Sequence, residues 1–248
     1  MNKDLIATAL SLSFALLLPA PAGAQQAAGA TPTPATTRTA ISTATAPALT
    51  LQIEHHITTL SADGITRTLH YTEHMLRHGD QVWLARVLPP HAREAAEHAD
   101  GGKAHRHMDI AAAARWVQRN ADGRLQLRLV NAHERLLVDV PQAEWGQVGF
   151  DGQWAAAQHL LDPAQIARMK PLARAAPAGA RWYQGGSANQ PVQVLWDNLG
   201  QFPQRIESRN AQGSQHSVTT VKRQALPGTL PWTQITGYSH KEYADLLD

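Results

Sequence analysis

Apolar and polar residues alternate along most of the chain after residue 50, and this period of two is typical of β-strands that bury one face. In the first such segment Leu51, Ile53, His55 and Ile57 share a face, and polar residues occupy the other. Because turn residues separate these short segments, the pattern predicts a mainly β protein of the α+β class. About ten strands are predicted, at residues 51–58, 66–76, 81–88, 113–118, 124–129, 136–140, 180–184, 191–196, 204–209 and 216–222.

Short turn sequences join many of these strands and predict antiparallel pairing. Asp63-Gly64 has the composition of a tight reversal. The three strands within residues 113–140 are joined by turns at 120–123 and 131–134, so they form an antiparallel meander. Strand 81–88 is apolar on both faces, and we therefore expect it in the interior of the sheet.

A mid-chain helix is predicted from its capping residues. Asp162 suits the N-cap and Pro163 the first helical position. Leu161 and Ile166 have the spacing of a hydrophobic staple. The helix should end by Pro171, because the residue before a proline avoids the α conformation.

A second, short helix is predicted at the C-terminus. Ser239 and Glu242 have the spacing of a capping box. Tyr238 and Tyr243 are spaced as its hydrophobic staple, and Leu246 continues the apolar side.

The N-terminus has the pattern of a secretory signal peptide. Lys3 is the basic residue, residues 5–18 are the apolar core, and residues 22–24 form a small-residue cleavage site after Ala24. The apolar run is too short for a stable membrane span. The following Ala/Thr/Pro-rich stretch has almost no large apolar groups, which predicts disorder. The expected organisation is a signal peptide at 1–24, a disordered leader at 25–48 and a single antiparallel β domain at 49–248 with a His-rich loop at 91–109.

Composition limits the classes of partner. The 248 residues include no cysteine, and 22 basic against 20 acidic residues give a net charge of +2. The basic residues are scattered without a run of five, which argues against nucleic acid. An exported protein of this size without disulfides fits a bacterial periplasm, and we expect that localisation.

The segment from His91 to Asp109 contains the densest group of potential metal ligands. His91, Glu94 and His98 would share one face of a short helix. His105 and His107 would point the same way in an extended segment, and Met108 adds a thioether. Such ligands suit copper or zinc. The alternative is a long polar loop in contact with solvent.

The C-terminal half contains a strand at residues 194–197, the sequence Pro-Gln-Arg-Ile-Glu at 203–207, and a turn at Gly213. In this order the chain resembles the periplasmic lipoprotein-carrier families of the LolA, LolB and RseB type. The N-terminal half is similar in layout, with Tyr71 and Trp83 on successive strands. The resemblance implies a strongly curved, unclosed antiparallel half-barrel, with helices across a concavity that receives an acyl chain or a peptide.

Two functions follow as hypotheses. The first is a non-enzymatic binding or sensing protein that takes a hydrophobic or lipid ligand, or a protein partner, with Trp83, Leu127, Val138 and Trp196 lining the cavity. The alternative for these four residues is a closed core. The second function is metal binding by the His-rich loop. A hydrolase is not supported, because the chain has no cysteine nucleophile, no G-x-S-x-G sequence and no complete H-E-x-x-H motif.

Overall fold

The computed structural model describes residues 46–88, 110 and 112–246. The predicted signal peptide, residues 25–45 of the predicted leader and the whole of the His-rich loop at 91–109 lie outside these residues. No helix within them is long and apolar enough to cross a membrane.

The described part of the chain forms one sheet of twelve strands in the order β12-β6-β5-β4-β3-β2-β1-β11-β10-β9-β8-β7. Every neighbouring pair is antiparallel except β12 with β6. The strands are β1 (Leu49–Leu60), β2 (Thr66–His78), β3 (Gln81–Arg86), β4 (Ala114–Arg119), β5 (Leu125–Asn131), β6 (Leu136–Val140), β7 (Lys170–Pro171), β8 (Ala180–Ser187), β9 (Gln190–Asp197), β10 (Phe202–Arg209), β11 (Gln215–Gln224) and β12 (Ser239–Glu242).

The sheet is an unclosed half-barrel, as the resemblance implies. Its two end strands, β12 and β7, do not pair with each other. Each of the ten predicted strands is present. The two additional strands, Lys170–Pro171 and Ser239–Glu242, are short and lie at the edges. The meander of β4, β5 and β6 is confirmed.

Two short helices and three 3₁₀ segments complete the described fold. Helix α1 is Trp154–His159 and helix α2 is Pro163–Arg168. The prediction for α2 is confirmed, since the Asp162 carboxylate accepts a hydrogen bond from the Ala164 N–H at 2.8 Å. Helix α1 was not predicted; it is less than two turns long and ends at Leu160, whose φ is 66°. The 3₁₀ segments are Gln142–Val148, Pro231–Thr233 and Tyr243–Leu246.

The predicted C-terminal capping box is wrong. Ser239–Glu242 is strand β12, which pairs in parallel with β6, and the Ser239 N–H donates to the Arg135 carbonyl at 2.9 Å. Tyr238 and Tyr243 do not form a staple, because they pack in different apolar clusters. The open edge of β6 supplies backbone partners along the whole segment, and these outweigh a local cap.

The sheet packs on both of its faces. The inner face carries α1 and α2 and contains the main core, in which Leu127 and Val138 are 0% exposed. The outer face has a smaller cluster centred on Trp116, covered by Trp232, Ile235 and Tyr238. These three residues belong to a C-terminal strap, which we define as residues 225–242. Strand β3 lies between β4 and β2, as predicted for an interior strand, and contributes to apolar clusters on both faces.

A buried arginine ties α1 to the sheet. Arg77 is 1% exposed and donates hydrogen bonds to the carbonyls of Pro47 (3.0 Å), Gln158 (2.9 Å) and Gly200 (2.5 Å). These carbonyls belong to the approach to β1, to α1 and to the β9–β10 turn. One guanidinium therefore joins three segments at this end of the inner face.

Candidate functional site

A cavity of about 250 Å³ lies between the inner face of the sheet and the segment that contains α1 and α2. Alternate residues of β1, β2, β3, β4, β10 and β11 form its floor, as expected for one face of a sheet. Side chains from the helical segment form its roof. The lining residues are Ile53, His55, Ile57, Tyr71, Glu73, Met75, Val82, Leu84, Arg115, Val117, Gly149, Phe150, Asp151, Ala156, Ala157, Leu160, Leu161, Asp162, Gln165, Ile206, Ser217 and Thr219.

Most of the lining is apolar. Ile53, Met75 and Val82 are buried in the main core and close the deep end of the cavity. Ala156 and Ala157 present only methyl groups from α1, which leaves room beneath the helix. A concave, mainly apolar space with a few polar groups is the usual form of a small-molecule site.

A chain of polar side chains crosses the floor of this cavity. His55 of β1 lies opposite Tyr71 of β2 and Thr219 of β11 in the strand register. Its Nε2 is 3.0 Å from Glu73 Oε2, and its Nδ1 is 3.2 Å from Thr219 Oγ1. A carboxylate can only accept, so Nε2 donates to Glu73, and Nδ1 pairs with the Thr219 hydroxyl.

Aromatic stacking fixes the orientation of the imidazole. The His55 and Tyr71 rings stack at a centroid distance of 4.5 Å with an interplanar angle of 18°. The Arg86 guanidinium lies 4.3 Å from the Tyr71 ring centroid, within the range of a cation–π contact. Burial, followed by the nearby charge of Glu73, raises the pKa of Tyr71, so this phenol stays protonated.

Glu73 is an ionised carboxylate in a mostly apolar space. Burial by itself would raise its pKa, but the hydrogen bond and charge of His55, together with Arg115 and Arg86, lower the pKa below its ordinary value. Arg115 itself donates to the carbonyls of Val148 and Gly149. The arginine is therefore attached to the loop that follows the 3₁₀ segment 142–148.

The four residues predicted to line a cavity lie elsewhere. Leu127 and Val138 are fully buried in the main core, and Trp196 is buried in a cluster beneath α2. Trp83 packs on the outer face with Trp116, under the C-terminal strap. None of them is among the residues that line the cavity described above.

The predicted metal ligands His91, Glu94, His98, His105, His107 and Met108 lie outside the described residues. Within residues 46–88, 110 and 112–246, no group of three or more histidine or acidic side chains is arranged to hold a metal ion. His70 is on the outer face opposite His56, with 6.2 Å between ring centroids.

Sequence reasoning did not identify the polar group in the cavity. The signal was present, because His55 interrupts an otherwise apolar face formed by Leu51, Ile53 and Ile57. A single histidine in such a stripe indicates a buried polar position. Its partners Glu73 and Thr219 could be found only from the pairing of β1 with β2 and β11.

No family model matches the chain, and no match to a curated protein was found. Among solved structures, the chain is similar to a LolA superfamily protein from Nitrosomonas europaea, with 11% identity and a TM-score of 0.31 over 77% of this chain and 90% of that chain.

Two further solved structures are longer proteins. The chain is similar to the MucA/MucB complex of Pseudomonas aeruginosa, with 14% identity and a TM-score of 0.35, over 76% of this chain and 55% of that chain. It is also similar to PNGF-II, with 12% identity and a TM-score of 0.35, over 80% of this chain and 33% of that chain. The chain thus spans about half of the first and a third of the second.

Proposed function

We propose that this protein is a non-enzymatic periplasmic binding or sensing protein that takes a hydrophobic or lipid ligand in the inner-face cavity. The observation that carries the proposal is the cavity itself, which is lined mainly by aliphatic side chains and covered by two short helices. The signal-peptide pattern at residues 1–24 supports the periplasmic location.

The physical reason for binding is the removal of apolar surface from water. Each buried methylene of a ligand contributes about 0.8 kcal/mol. The floor is built on paired strands, so it is formed before the ligand arrives. Ligand binding therefore does not have to offset the loss of conformational entropy that ordering the floor would cost. The roof contains two helices of six residues each, so a ligand has to pass only a short segment to enter the cavity.

A neutral apolar dye, N-phenyl-1-naphthylamine, tests the proposal when it is titrated into the purified mature protein. We expect saturable fluorescence enhancement at a single site. Ala156→Phe places a ring in the cavity and should weaken binding by at least about tenfold, because an overfilled site excludes the dye. Absence of saturable binding by the wild type contradicts the proposal.

The matched control is Ala155→Phe. Ala155 is in the same helix turn but is not among the residues that line the cavity. The control variant should therefore bind the dye as the wild type does. Equal loss of binding in both variants would mean that the dye reports helix packing instead of cavity occupancy.

Metal binding by the His-rich loop remains a separate prediction from the sequence, because its ligands lie outside the described residues. The untagged protein, expressed in the periplasm, should then contain near-stoichiometric copper or zinc by inductively coupled plasma mass spectrometry. The double variant His105→Ala/His107→Ala should lose that metal. Equal metal content in the two proteins would contradict this site.

A further inference from the structure

We propose that the cavity selects an amphiphile whose head group donates hydrogen bonds and carries no negative charge, such as a long-chain alcohol or amine, and that it disfavours free fatty acids. This inference rests on the proposed function and deepens it, because it assigns the polar end of the ligand to the His55–Glu73 pair.

The first argument is the charge of the lining. The cavity is lined by three carboxylates, Glu73, Asp151 and Asp162, and by one guanidinium, Arg115. Both hydrogen bonds of Arg115 come from Nη1, which the Val148 and Gly149 carbonyls hold at the loop. A carboxylate entering this space meets like charges at reduced dielectric, and this opposes its binding.

The second argument is the balance of donors and acceptors. Glu73 Oε2 accepts from His55, and its second oxygen accepts no hydrogen bond from any other residue that the structure describes. The Thr219 oxygen, whose hydroxyl pairs with His55 Nδ1, is a further acceptor on the same floor. A hydroxyl or ammonium group can donate to these acceptors, whereas a carboxylate has no proton to offer.

The third argument is geometric. Tyr71 and Thr219 flank His55 on the two neighbouring strands, so the polar group sits within an apolar floor that continues to Ile53 and Ile57. A ligand with an alkyl chain and one small polar end matches this pattern. A site that leaves buried acceptors unpaired discriminates against ligands lacking the matching donor.

The experiment compares three ligands of the same chain length, namely dodecanol, dodecylamine and dodecanoate. Each displaces N-phenyl-1-naphthylamine from the mature protein below the concentration of micelle formation, at about pH 8, where the carboxylate is ionised. We expect dodecanoate to compete at least about tenfold more weakly than the other two, a difference of about 1.4 kcal/mol. Dodecanoate that competes equally or better would overturn the proposal.

Glu73→Gln tests the residue assigned to this selection. The substitution keeps the shape of the side chain and removes its charge. The disadvantage of dodecanoate relative to dodecanol, each measured as displacement of dye from the same variant, should therefore shrink severalfold. Glu207→Gln is the matched control, because Glu207 does not line the cavity. An unchanged preference in Glu73→Gln would overturn the role of this carboxylate.

The two proposals fail in distinguishable ways. If the dye does not bind the wild type, the proposed function fails, and the head-group inference that rests on it fails as well. If the dye binds and Ala156→Phe abolishes binding, but the three ligands compete equally, the cavity is a ligand site and only the head-group inference fails.

Discussion

Arg77 is the residue through which three separate segments of the chain meet. Its guanidinium donates to carbonyls before β1, in α1 and in the β9–β10 turn. Burial lowers its pKa to about 10, so it remains charged at neutral pH. The hydrogen bonds to carbonyl oxygens compensate the cost of burying that charge.

Arg77→Met removes the donors and leaves buried carbonyls without partners. We expect the free energy of unfolding to fall by about 3 kcal/mol or more, because each unsatisfied buried acceptor costs about 1–3 kcal/mol. Urea denaturation followed by tryptophan fluorescence measures this loss. Arg124→Met removes an exposed arginine that pairs with Asp122 and should cost less than about 1 kcal/mol. Equal losses in the two variants would contradict the anchoring role.

Glu73 gives the fold a defined pH dependence. Its folded pKa lies below the ordinary value despite burial, because His55, Arg115 and Arg86 favour the charged form. A lowered folded pKa stabilises the protein above the unfolded pKa, and this stabilisation is lost as the pH falls through the folded pKa. The relevant window therefore lies below about pH 4.5.

We expect Glu73→Gln to be less stable than the wild type near neutral pH, and the difference to shrink steadily as the pH falls through this window. Thermal unfolding at a series of pH values measures the difference. Glu242→Gln, at an exposed position on β12, is the control and should show little change. A difference that grows on acidification would contradict the assignment.

Single residues show where prediction from the sequence ends. The position of His55 on the apolar face of β1 follows from periodicity alone. Its hydrogen bond to Glu73 joins residues 18 positions apart, and its contact with Thr219 joins residues 164 positions apart. No local sequence pattern predicts the contact with Thr219, because nine other strands lie between β1 and β11 in the sequence.

Two capping signals in the chain show how elements compete with their surroundings. Asp162 caps α2 as its sequence predicts. Ser239 begins a strand, although its spacing to Glu242 suits a capping box. The difference is tertiary: β6 presents an open edge beside residues 239–242, and strand pairing satisfies their backbone. In this chain the local capping signal determines the structure at Asp162, whereas pairing with the edge of β6 determines it at Ser239.

Asp162→Ala removes the cap of α2 and should lower the free energy of unfolding by about 1 kcal/mol. Asp162→Ser keeps an acceptor at the same place and should recover most of this loss. Chemical denaturation of the three proteins makes the comparison. If the serine variant is as unstable as the alanine variant, the cap does not account for the effect.

At the scale of the whole molecule, the C-terminal strap covers part of the outer face of the half-barrel, so apolar residues are packed on both faces of the sheet. Trp232 and Ile235 cover the outer-face cluster around Trp116, and β12 then pairs with the edge of β6. The strap could not be predicted from hydrophobic periodicity, because residues 225–238 show no regular alternation of apolar and polar residues. The antiparallel sheet beneath it was predictable, because strand pattern and turn spacing agree along most of its length, whereas its curvature was implied only by the family resemblance.

The double variant Trp232→Ala/Ile235→Ala should uncover this cluster and lower the free energy of unfolding by about 2–4 kcal/mol. It should also increase the fluorescence of an added apolar dye at sites that Ala156→Phe does not block. Thr229→Ala, at an exposed position of the same strap, is the control. Stability unchanged from the wild type would mean that the strap contributes no packing energy.

The pairing of β1 with β11 has a consequence for the order in which the molecule can be completed. β1 is the first strand of the described chain, yet one of its edges is satisfied only by residues 215–224. Strands β2 to β6 pair with sequence neighbours, and β8 to β11 do the same. A chain emerging from its N-terminus can thus assemble two local sheets early. The row of backbone groups along β1 stays open until residues 215–224 are available, and a chain truncated before them would expose that row as an unpaired edge prone to aggregation.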